Sequence, residues 1–358
     1  MKIGIVTFFK PYGGALQCYA LQHVLRSLGH DVKVINREWG CFKSNDKKTG
    51  IKLFKQKING IITKDPFKKF YVENFDFTFP IKSEQDLQRI GTKEYFDVVI
   101  AGSDQPWNPQ CIKTMGYYFY LDWLASDVRK YAYAVSYGKD DFPATDSQIE
   151  HIRHLLQAYN AISVREKSGI EISMRLFGIN AIQCLDPTLL LTKEDYDAII
   201  VDKRTAHGYV CEFFLDWTPE KHDLVMKISS SENLAIIDNN PPMPANWFKR
   251  RLFRKRSISE WLRNIRDAKY VITDSFHGTV FSIIFHKKFI SINNKKRGTA
   301  RFESLLSTTN LMHHLMDENE LDNSHISAVL KEEINYNIVD SIINGMRMKS
   351  LSFIKNIK

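Results

Sequence analysis

Residues 2–35, KIGIVTFFKPYGGALQCYALQHVLRSLGHDVKVI, contain the pattern that decides the fold of this chain. The apolar run Lys2–Phe8 predicts a strand, and the two glycines that follow open a helical pattern that continues to Leu28. Gly29 predicts the end of that helix, and Asp31–Ile35 predicts a second strand. A strand, a helix and a second strand in this order indicate a βαβ unit with a parallel sheet.

The same alternation continues along the chain in two series. Further strands are predicted at Phe96–Ala101, Tyr131–Ser136, Ala161–Val164 and Ile182–Leu185, and then at Tyr209–Leu215, Leu234–Asp238, Tyr270–Thr273 and Phe289–Ile292. Helical patterns separate them at 146–160, 166–177, Thr192–Ile199, near 219–230, at Ser257–Ala268 (with Ser257 or Ser259 as its cap) and at His277–Phe285. We therefore predict an α/β fold of two Rossmann-like domains, 1–200 with a basic insertion at about 38–95, and 201–358. Ligands are expected in the cleft between them.

Composition excludes several classes of protein. Of 358 residues, 44% are hydrophobic and 25% are charged, which suits a folded enzyme and not a disordered or fibrous chain. No apolar run approaches the ~20 residues of a membrane span, and the N-terminus reads as a strand instead of a signal peptide. The five cysteines are scattered and form no CxxC pair, so we expect no disulfide framework, no metal site and a cytoplasmic location.

The positive charge is clustered. The chain has 50 Lys and Arg against 41 Asp and Glu, a net charge of +9, and residues 43–69 hold nine Lys and two Asp. Residues 248–256 carry six cations and no acid, and the last thirteen residues add four more. These clusters are interpreted either as solvated helix faces or as a surface for anionic lipid, since basic residues mixed with Phe, Leu and Ile suit the headgroup region. Nucleic acid is disfavoured, because no helix-turn-helix, RNP or zinc-finger pattern accompanies them.

Two loops that follow predicted strands of the first domain are candidate binding sites. The first holds Gly13, Gly14 and Gln17 at the start of a helix, where backbone N–H groups can approach an anion, or where the glycines simply make a tight turn. The second is a polar segment that fits a sugar site, through ring stacking and hydrogen bonds to hydroxyls, or else a capped turn with a packing Trp. Its candidate residues are Ser103, Asp104, Gln105, Trp107 and Asn108.

Charged and titratable candidates follow later strands. Arg165 can clamp a carboxylate or phosphate, or can pair with Glu166 or Asp186 in a structural network. His277 opens a helix, where the positive end of the helix dipole favours a neutral imidazole, and the neighbouring Asp274 either orients that imidazole or caps the helix. The other polar candidates, at the same helix start and on a Gly-containing loop suited to phosphate, are Ser275, Gly278, Arg297 and Arg301.

These loops together resemble the motifs of the polysaccharide pyruvyl transferase family. The matching segments are YGGALQ (12–17), GSDQPWN (102–108), SYG (136–138), SVRE (163–166), LDPT (185–188), TDSFHGTVF (273–281) and GTARF (298–302). The resemblance implies a fold similar to GT-B glycosyltransferases with the ligand in the interdomain cleft. It also implies transfer of pyruvyl from phosphoenolpyruvate to a sugar hydroxyl pair, forming a ketal in capsule or exopolysaccharide synthesis.

The roles of individual residues are predicted on this basis. His277 is the expected acid/base, Arg165 and Arg301 are the expected donor clamps, and Asp104 with Gln105 and Trp107 is expected to hold the acceptor. Several ketal-forming members carry Arg two residues before the motif His, where this chain has Ser275. The candidates for that missing charge are Arg165, Arg297 and Arg301. The first domain is then the acceptor side and the second the donor side, with no cofactor needed besides the substrate phosphoenolpyruvate.

Two rival functions remain at this point. One is a GT-B glycosyltransferase that uses a nucleotide sugar. The other is a non-catalytic partner of a membrane-associated assembly complex, recruited through the basic clusters. Because acceptors of this kind can be carried on a lipid, we expect a cytoplasmic protein that contacts the inner membrane face peripherally.

Overall fold

Two parallel β-sheets form the framework of the protein. A computed structural model describes residues 1–37, 65–201, 208–241, 255–295 and 297–358. The strands of the first sheet are β1 (Lys2–Val6), β2 (Asp31–Val34), β3 (Val98–Ala101), β4 (Arg129–Val135), β5 (Tyr159–Val164) and β6 (Ile182–Gln183). Those of the second are β7 (Tyr209–Phe213), β8 (Ala235–Asp238), β9 (Tyr270–Thr273), β10 (Lys288–Ile292) and β11 (Leu315–Met316). The prediction of two α/β units is confirmed, and every predicted strand is present with ends that differ by up to two residues.

Both sheets have the same strand order. The first is ordered β2-β1-β3-β4-β5-β6, and the second reads β8-β7-β9-β10-β11 when taken from the corresponding edge. All of these pairs are parallel, with Ile3 opposite both Val32 and Val98, for example. In each sheet the order therefore reverses between the first and third strands, β1 and β3 in one and β7 and β9 in the other. Such a switch point is where open α/β sheets bind ligands, beyond the carboxyl ends of the strands.

Helices cover the faces of the sheets. In the first domain they are α1 (Tyr12–Ser27), α2 (Lys68–Asn74), α3 (Glu84–Ile90), α4 (Pro109–Met115), α5 (Asp146–Gln157), α6 (Lys167–Phe177) and α7 (Lys193–Ala198). They continue with α8 (Pro219–Glu232), α9 (Ile258–Arg266), α10 (Phe276–Ile284), α11 (Ala300–Thr308), α12 (Asn323–Lys331) and α13 (Tyr336–Lys355). Short 3₁₀ turns lie at Tyr118–Tyr120, Pro187–Leu190 and Met312–His314.

The helix ends follow the capping rules. Gly29 has a φ of 83°, a left-handed conformation that glycine adopts without steric cost, and it releases the chain from α1 into β2. Ser257 caps α9, since its Oγ accepts a hydrogen bond from Glu260 N at 3.2 Å and Glu260 Oε2 accepts one from Ser257 N at 2.8 Å. The cap predicted as Ser257 or Ser259 is thus Ser257.

Helix α10 is apolar on all sides and lies in the core. All nine of its residues are buried, and its neighbours β9 and β10 are buried strands. A helix without a polar face needs packing partners all round, which explains why the segment is enclosed by both domains. The start of this helix is therefore held in a fixed place against the cleft.

The last helix returns to the first domain. In α13, Ser350 Oγ accepts a hydrogen bond from Leu185 N at 2.9 Å, and Arg347 Nε donates one to Leu189 O at 2.8 Å. The Phe353 ring lies 6.0 Å from that of Tyr133, which is on β4. The start of α13 contacts the second domain, where Tyr336 stacks on His286 at 4.3 Å, so this helix, which the division at residue 200 assigns to the second domain, contacts both domains.

The basic clusters lie largely outside the described residues, because 38–64 and 242–254 fall there. The described part of the predicted insertion, 65–95, holds α2 and α3 and extends the edge of the first sheet through bridges from Val34 to Phe77 and from Arg37 to Ile81. In the parts of the chain that the structure describes, no helix has the length and apolar character to cross a membrane.

Candidate active site

A cleft of about 480 Å³ lies between the two domains, at the carboxyl ends of the switch-point strands. The segments after β1, β3 and β4 form one wall, and the segments after β7, β9 and β10 form the other. From the first domain it is lined by Phe8, Lys10, Pro11, Tyr12, Gly13, Gly14, Asp104, Gln105, Asn108, Gln110, Cys111 and Lys139. From the second it is lined by Phe213, Leu215, Asp274, Ser275, Phe276, His277, Arg297, Arg301 and Phe302.

His277 is the second residue of α10 and faces the first domain. Ser275 caps the helix, its Oγ accepting a hydrogen bond from Gly278 N at 3.4 Å, which fixes the backbone at the histidine. The side chain is only 10% exposed. Its Nδ1 is the atom nearest to where a Cβ on Gly13 would lie, while its Nε2 is buried, without a hydrogen-bond partner, 3.6 Å from Asp186 Oδ2.

Asp186 connects four elements of the site. Its Oδ2 accepts from Arg165 Nη1 at 2.5 Å and from Ser103 Oγ at 3.3 Å. Its Oδ1 accepts from Thr188 N at 3.0 Å and from Thr188 Oγ1 at 2.6 Å. Burial alone would raise the pKa of Asp186, but the contacts with His277, Arg165 and Thr188 outweigh it and hold that pKa well below its usual range. Asp186 is therefore a buried carboxylate that stays ionised.

Two guanidinium groups lie beside one aromatic ring at the floor of the cleft. The guanidinium carbons of Arg165 and Arg301 are 4.8 and 5.5 Å from the ring centroid of Phe276. Burial, followed by the neighbouring charge of Arg165, lowers the pKa of Arg301 to about 10. The Nε atoms of both arginines are buried and have no hydrogen-bond partner among the described residues. Two like charges with unused donors favour the binding of an anion.

The two arginines differ in their access to the cleft. Arg301 lines the cleft, and its Nη2 donates to Arg297 O at 2.8 Å. Arg165 lies behind Phe276, where both arginines line a small cavity of about 20 Å³, which has room for a single water. Arg165 thus binds Asp186, and it lies close enough to Arg301 for its charge to lower the pKa of that residue. The prediction that Arg165 clamps the donor directly is wrong for this conformation; the alternative, its pairing with Asp186, is present.

Arg297 joins the two walls of the cleft. Its guanidinium binds Asp216 through two hydrogen bonds of 2.7 and 3.0 Å, and this pairing lowers the pKa of Asp216 to about 2. Its carbonyl oxygen accepts a hydrogen bond from Gln105 Nε2 of the first domain at 3.3 Å. Beside it, a Cβ on Gly298 (φ 90°) would lie 1.9 Å from Gly138 O, so the domains touch here by backbone alone.

Asp104 lines the cleft from the loop that follows β3. Its φ of 74° is left-handed, a conformation that is uncommon outside glycine and in which Asp is enriched. Backbone of this kind clusters at functional sites. Burial and Arg165 lower the pKa of Arg301, and the Asp104 carboxylate partly opposes that lowering. For Arg165, where burial also acts to lower the pKa, Asp104 adds to the larger effects of Asp186 and Glu166, which raise it. Gln105 and Asn108 lie on the same loop and also line the cleft.

Trp107 does not face the cleft. It is fully buried, its ring stacks on Tyr120 at 5.4 Å with an interplanar angle of 7°, and its Nε1 donates to Phe119 O at 3.1 Å. The prediction that Trp107 stacks on a sugar ring is therefore wrong, and the alternative of a packing Trp in a capped turn is correct. Asn108 provides the cap, since its Oδ1 accepts from Gln110 N at 3.0 Å.

Three further predicted contacts are also corrected by the structure. Gln17 is buried, and its Nε2 donates to Thr7 Oγ1, Phe8 O and Gly14 O, so it holds the glycine turn and does not reach a ligand. Ser103 is buried against Asp186. Gly278 packs on β9, where a Cβ would lie 2.3 Å from Thr273 Oγ1.

Asp274 neither orients His277 nor caps α10. Its carboxylate accepts hydrogen bonds from Leu215 N at 2.6 Å, from Asp216 N at 3.1 Å and from Lys221 Nζ at 3.0 Å. These contacts tie together the ends of β7, α8 and β9. Asp274 is therefore a structural residue of the second domain.

Sequence reasoning named Asp186 only as a possible structural partner of Arg165, and it assigned no role to Phe276 or Lys139. The signal for Asp186 was its place after β6, at the same sheet edge as the other loops, in the LDPT segment. In the sequence, Phe276 cannot be distinguished from an ordinary core aromatic residue. Its place beside two guanidinium groups becomes evident only in the structure. Within the described residues no group of three or more His, Cys, Asp and Glu side chains is arranged to hold a metal ion.

The fold is shared with solved structures of low sequence identity. UDP-GlcNAc 2-epimerase from Methanocaldococcus jannaschii aligns over 94% of this chain and 93% of its own, with a TM-score of 0.56 and 13% identity. UDP-N-acetylglucosamine 2-epimerase from Rickettsia bellii aligns over 100% and 98%, with a TM-score of 0.55 and 9% identity. Arabidopsis thaliana UGT89C1 complexed with UDP-L-rhamnose aligns over 98% and 97%, with a TM-score of 0.50 and 10% identity. The prediction of a GT-B-like fold is confirmed.

Sequence comparison identifies the family. A search of curated proteins found no match. The family model described as polysaccharide pyruvyl transferase matches residues 12–296, a range that begins at the glycine turn and includes His277. Because this match covers most of the chain and the loops on both walls of the cleft, the chain belongs to the polysaccharide pyruvyl transferase family and is a transferase.

Proposed function

We propose that this enzyme transfers a pyruvyl group from phosphoenolpyruvate to two hydroxyls of a sugar, forming a cyclic ketal during synthesis of a cell-surface polysaccharide. The observation that carries the proposal is the guanidinium of Arg301, which lines the cleft with Phe276 and His277 and has the second guanidinium, that of Arg165, behind it. Phosphoenolpyruvate bears a carboxylate and a phosphate on one small enol. An anion of this kind relieves the repulsion between the two arginines and uses donors that the protein leaves unpaired.

The proposed reaction requires a proton donor close to the anion site. His277 protonates the methylene carbon of phosphoenolpyruvate, and a sugar hydroxyl attacks C2, which carries the developing positive charge. The C2–O bond to phosphate breaks, and the second hydroxyl attacks the same carbon to close the ketal. Of the two hydroxyl protons, one replaces the proton that His277 supplied to the methyl group and the other leaves with phosphate. The narrow, half-enclosed cleft limits access of water to the reactive carbon.

In this proposal each domain binds one substrate. Arg301, Ser275 and His277 of the second domain hold the donor, with Arg297 at the rim. Asp104, Gln105 and Asn108 of the first domain bind the acceptor, and Asp104 accepts a hydroxyl proton. Gly13 and Gly14 allow the backbone to come close to the bound substrate. The charge that Ser275 cannot provide is supplied by Arg301, which has Arg165 behind it.

A nucleotide-sugar transferase is the alternative that the fold also permits. A nucleotide sugar would need acidic groups that bind its ribose hydroxyls. Asp216, after β7, is already bound to Arg297, and Asp274, after β9, is already bound to Lys221 and two backbone N–H groups. Because both acids are paired, they support the pyruvyl proposal instead. We also propose a cytoplasmic enzyme at the inner membrane face, since phosphoenolpyruvate is cytoplasmic and lipid-carried acceptors lie at that surface.

Release of phosphate from phosphoenolpyruvate with a panel of nitrophenyl and lipid-linked glycosides tests the proposal directly. We expect acceptor-dependent phosphate release and a ketal methyl singlet in the proton NMR spectrum of the product. Arg301→Met and His277→Gln serve as matched controls. Stabilisation by UDP-sugars together with no stabilisation by phosphoenolpyruvate, and no phosphate release, would favour the glycosyltransferase. Liposome binding without any substrate effect would favour the non-catalytic partner.

A further inference from the structure

The two ring nitrogens of His277 have different surroundings. Nε2 is buried and faces Oδ2 of Asp186, at 3.6 Å, without a hydrogen bond to any described residue. Nδ1 lies close against the backbone of Gly13, a residue that lines the cleft, and a Cβ on that glycine would come within 2.1 Å of it. One nitrogen therefore faces a fixed carboxylate, and the other lies at the wall of the cleft.

Asp186 is held so rigidly that it can define the orientation of the imidazole. Thr188 binds Oδ1 twice, through N at 3.0 Å and Oγ1 at 2.6 Å, while Arg165 Nη1 binds Oδ2 at 2.5 Å. Asp186 is only 1% exposed, so water does not compete for hydrogen bonds to its carboxylate. Asp186 and His277 come from different domains, and the contact between them forms only when the cleft is assembled.

The charges around the imidazole leave Asp186 as its direct acidic neighbour. Arg165, from the loop after β5, is already bound to the same Oδ2. Arg301 on α11 lines the cleft beside Phe276, and Asp104 lines it from the first domain. Glu166 binds Tyr137 N at 3.1 Å, and Asp274 is turned to Lys221.

We propose that Asp186 is the positioning residue of His277: it keeps the proton on Nε2 and stabilises the imidazolium, so that Nδ1 is the nitrogen that gives a proton to the substrate. A carboxylate that orients a histidine through one ring nitrogen and leaves the other for chemistry is a general solution to this problem. The distance of 3.6 Å shortens to a hydrogen bond when the cleft closes on its ligand, as catalytic contacts in unliganded sites commonly do. The proton-transfer step rests on the proposed function. The location of the His277 proton on Nε2 does not depend on it.

Nitrogen-15 NMR of the histidine side chains tests the tautomer without any substrate. The chain has 11 histidines, and the spectrum of His277→Gln identifies the signals of His277 by their loss. We expect neutral His277 in wild-type protein to carry its proton on Nε2. A proton on Nδ1 would overturn the proposal, and this measurement needs no variant of Asp186.

The second arm compares the tautomer in Asp186→Asn and in Ser103→Ala. Asn keeps its oxygen for the donors of Thr188 and places its amide N–H₂ where Oδ2 was, so it donates to Nε2, and neutral His277 should carry its proton on Nδ1. Ser103→Ala removes a neutral contact of the same Oδ2 atom and should leave the proton on Nε2. An unchanged tautomer in Asp186→Asn would contradict the proposal.

The kinetic readout distinguishes this proposal from the proposed function. If His277 acts as an acid, activity falls as pH rises, and Asp186→Asn should move that fall to lower pH as well as reduce kcat. The enzyme could be inactive with phosphoenolpyruvate and still show the Nε2-protonated tautomer and its dependence on Asp186. That outcome would refute phosphoenolpyruvate as the donor and leave the role of Asp186 in place. Pyruvyl transfer with an unshifted profile in Asp186→Asn would refute the role of Asp186 alone.

Discussion

Gly13 and His277 approach each other so closely across the cleft that a Cβ atom on Gly13 would lie 2.1 Å from Nδ1 of His277. Gly13 belongs to the turn between β1 and α1 of the first domain, whereas His277 belongs to α10 of the second. Real side-chain carbons do not come this near another heavy atom, so the contact requires glycine. The assembled site thus depends on a residue that has no functional group.

Gly13→Ala is predicted to reduce turnover by about 100-fold, because a methyl group must push the imidazole or the facing domain aside by about 1 Å. The reaction rate from phosphate release measures this, and the thermal unfolding midpoint should change little. Gly345→Ala is the matched control, since a Cβ there meets no atom within 4 Å and the position is inside α13. That variant should keep its activity and gain about 0.5–1 kcal/mol of stability.

Turnover of Gly13→Ala that equals that of Gly345→Ala would show that the contact with His277 is not needed for the reaction.

His277→Ala is predicted to lower kcat by ~10²–10⁴-fold, as expected for loss of a general acid. The protein should remain folded, because the side chain forms no hydrogen bond with any described residue and loses only its 3.6 Å contact with Asp186 and its packing on Phe276 and Gly13. Circular dichroism and thermal unfolding provide the control. A variant that keeps nearly full activity would exclude the acid role, and one that unfolds would make the histidine structural.

Arg301→Met is predicted to weaken donor binding by about 1.5–3 kcal/mol, or roughly 10- to 150-fold in Kd, because a charge-assisted contact is lost. Isothermal titration with phosphoenolpyruvate measures the change, and the KM of the acceptor should move much less. Met fills the space without a buried charge next to Arg165, so the unliganded protein should be as stable as wild type or more so.

Arg297→Gln is the comparison for that experiment. Its guanidinium is already bound to Asp216, so its loss should affect donor affinity less than the loss of Arg301. An unchanged affinity in Arg301→Met together with a large loss in Arg297→Gln would move the donor clamp to the rim of the cleft.

The fold could be predicted from the sequence because it depends on local patterns of apolar residues and glycines. Apolar runs such as Tyr270–Thr273 coincide with a strand residue for residue, and glycine at position 29 marks the end of α1. The alternation of strands and helices then implies parallel sheets, and the loops at their carboxyl ends imply the cleft. The return of α13 to the first domain could not be predicted, because contacts such as that of Ser350 with Leu185 join residues far apart in sequence.

The site was readable only in part, because side-chain direction is set by tertiary packing. Asp104 and Trp107 are three residues apart in one loop, yet the first lines the cleft and the second lies in the core under Tyr120. Arg165 and Arg301 look equivalent as clamps in the sequence, but Phe276 separates one of them from the cleft. Asp186 was named only as a possible structural partner of Arg165, because its partners come from four different elements.

The stability difference between wild type and Asp186→Asn is predicted to depend on pH. The folded-state pKa of Asp186 lies below its unfolded value of about 3.9, so its stabilising effect is fully present above that pH and is lost as the pH falls through the folded pKa. At pH 7 the variant leaves Arg165 short of a charged partner and should lose about 3–5 kcal/mol. Urea unfolding at several pH values between 3 and 7 should show the gap narrowing with acid; a constant gap would mean that Asp186 is not ionised in the folded protein.

Binding to anionic membranes is predicted from the two basic clusters, 43–69 and 248–256. Nine Lys against two Asp in the first, and six cations in the second, can contribute ~1 kcal/mol for each cation that reaches the surface. Only some of them can face one plane, so the binding should be modest and reversible. Because the attraction is screened over ~10 Å at 0.1 M salt, it should fall steeply between low and physiological ionic strength.

Flotation with phosphatidylserine vesicles and with neutral vesicles measures this membrane binding. A variant with Lys52, Lys55 and Lys57 changed to Gln should float less, while one with Lys93, Lys113 and Lys227 changed to Gln carries the same charge loss outside the clusters and should float as wild type does. Equal recovery on both kinds of vesicle, or indifference to salt, would show that the lysines do not act in membrane attachment.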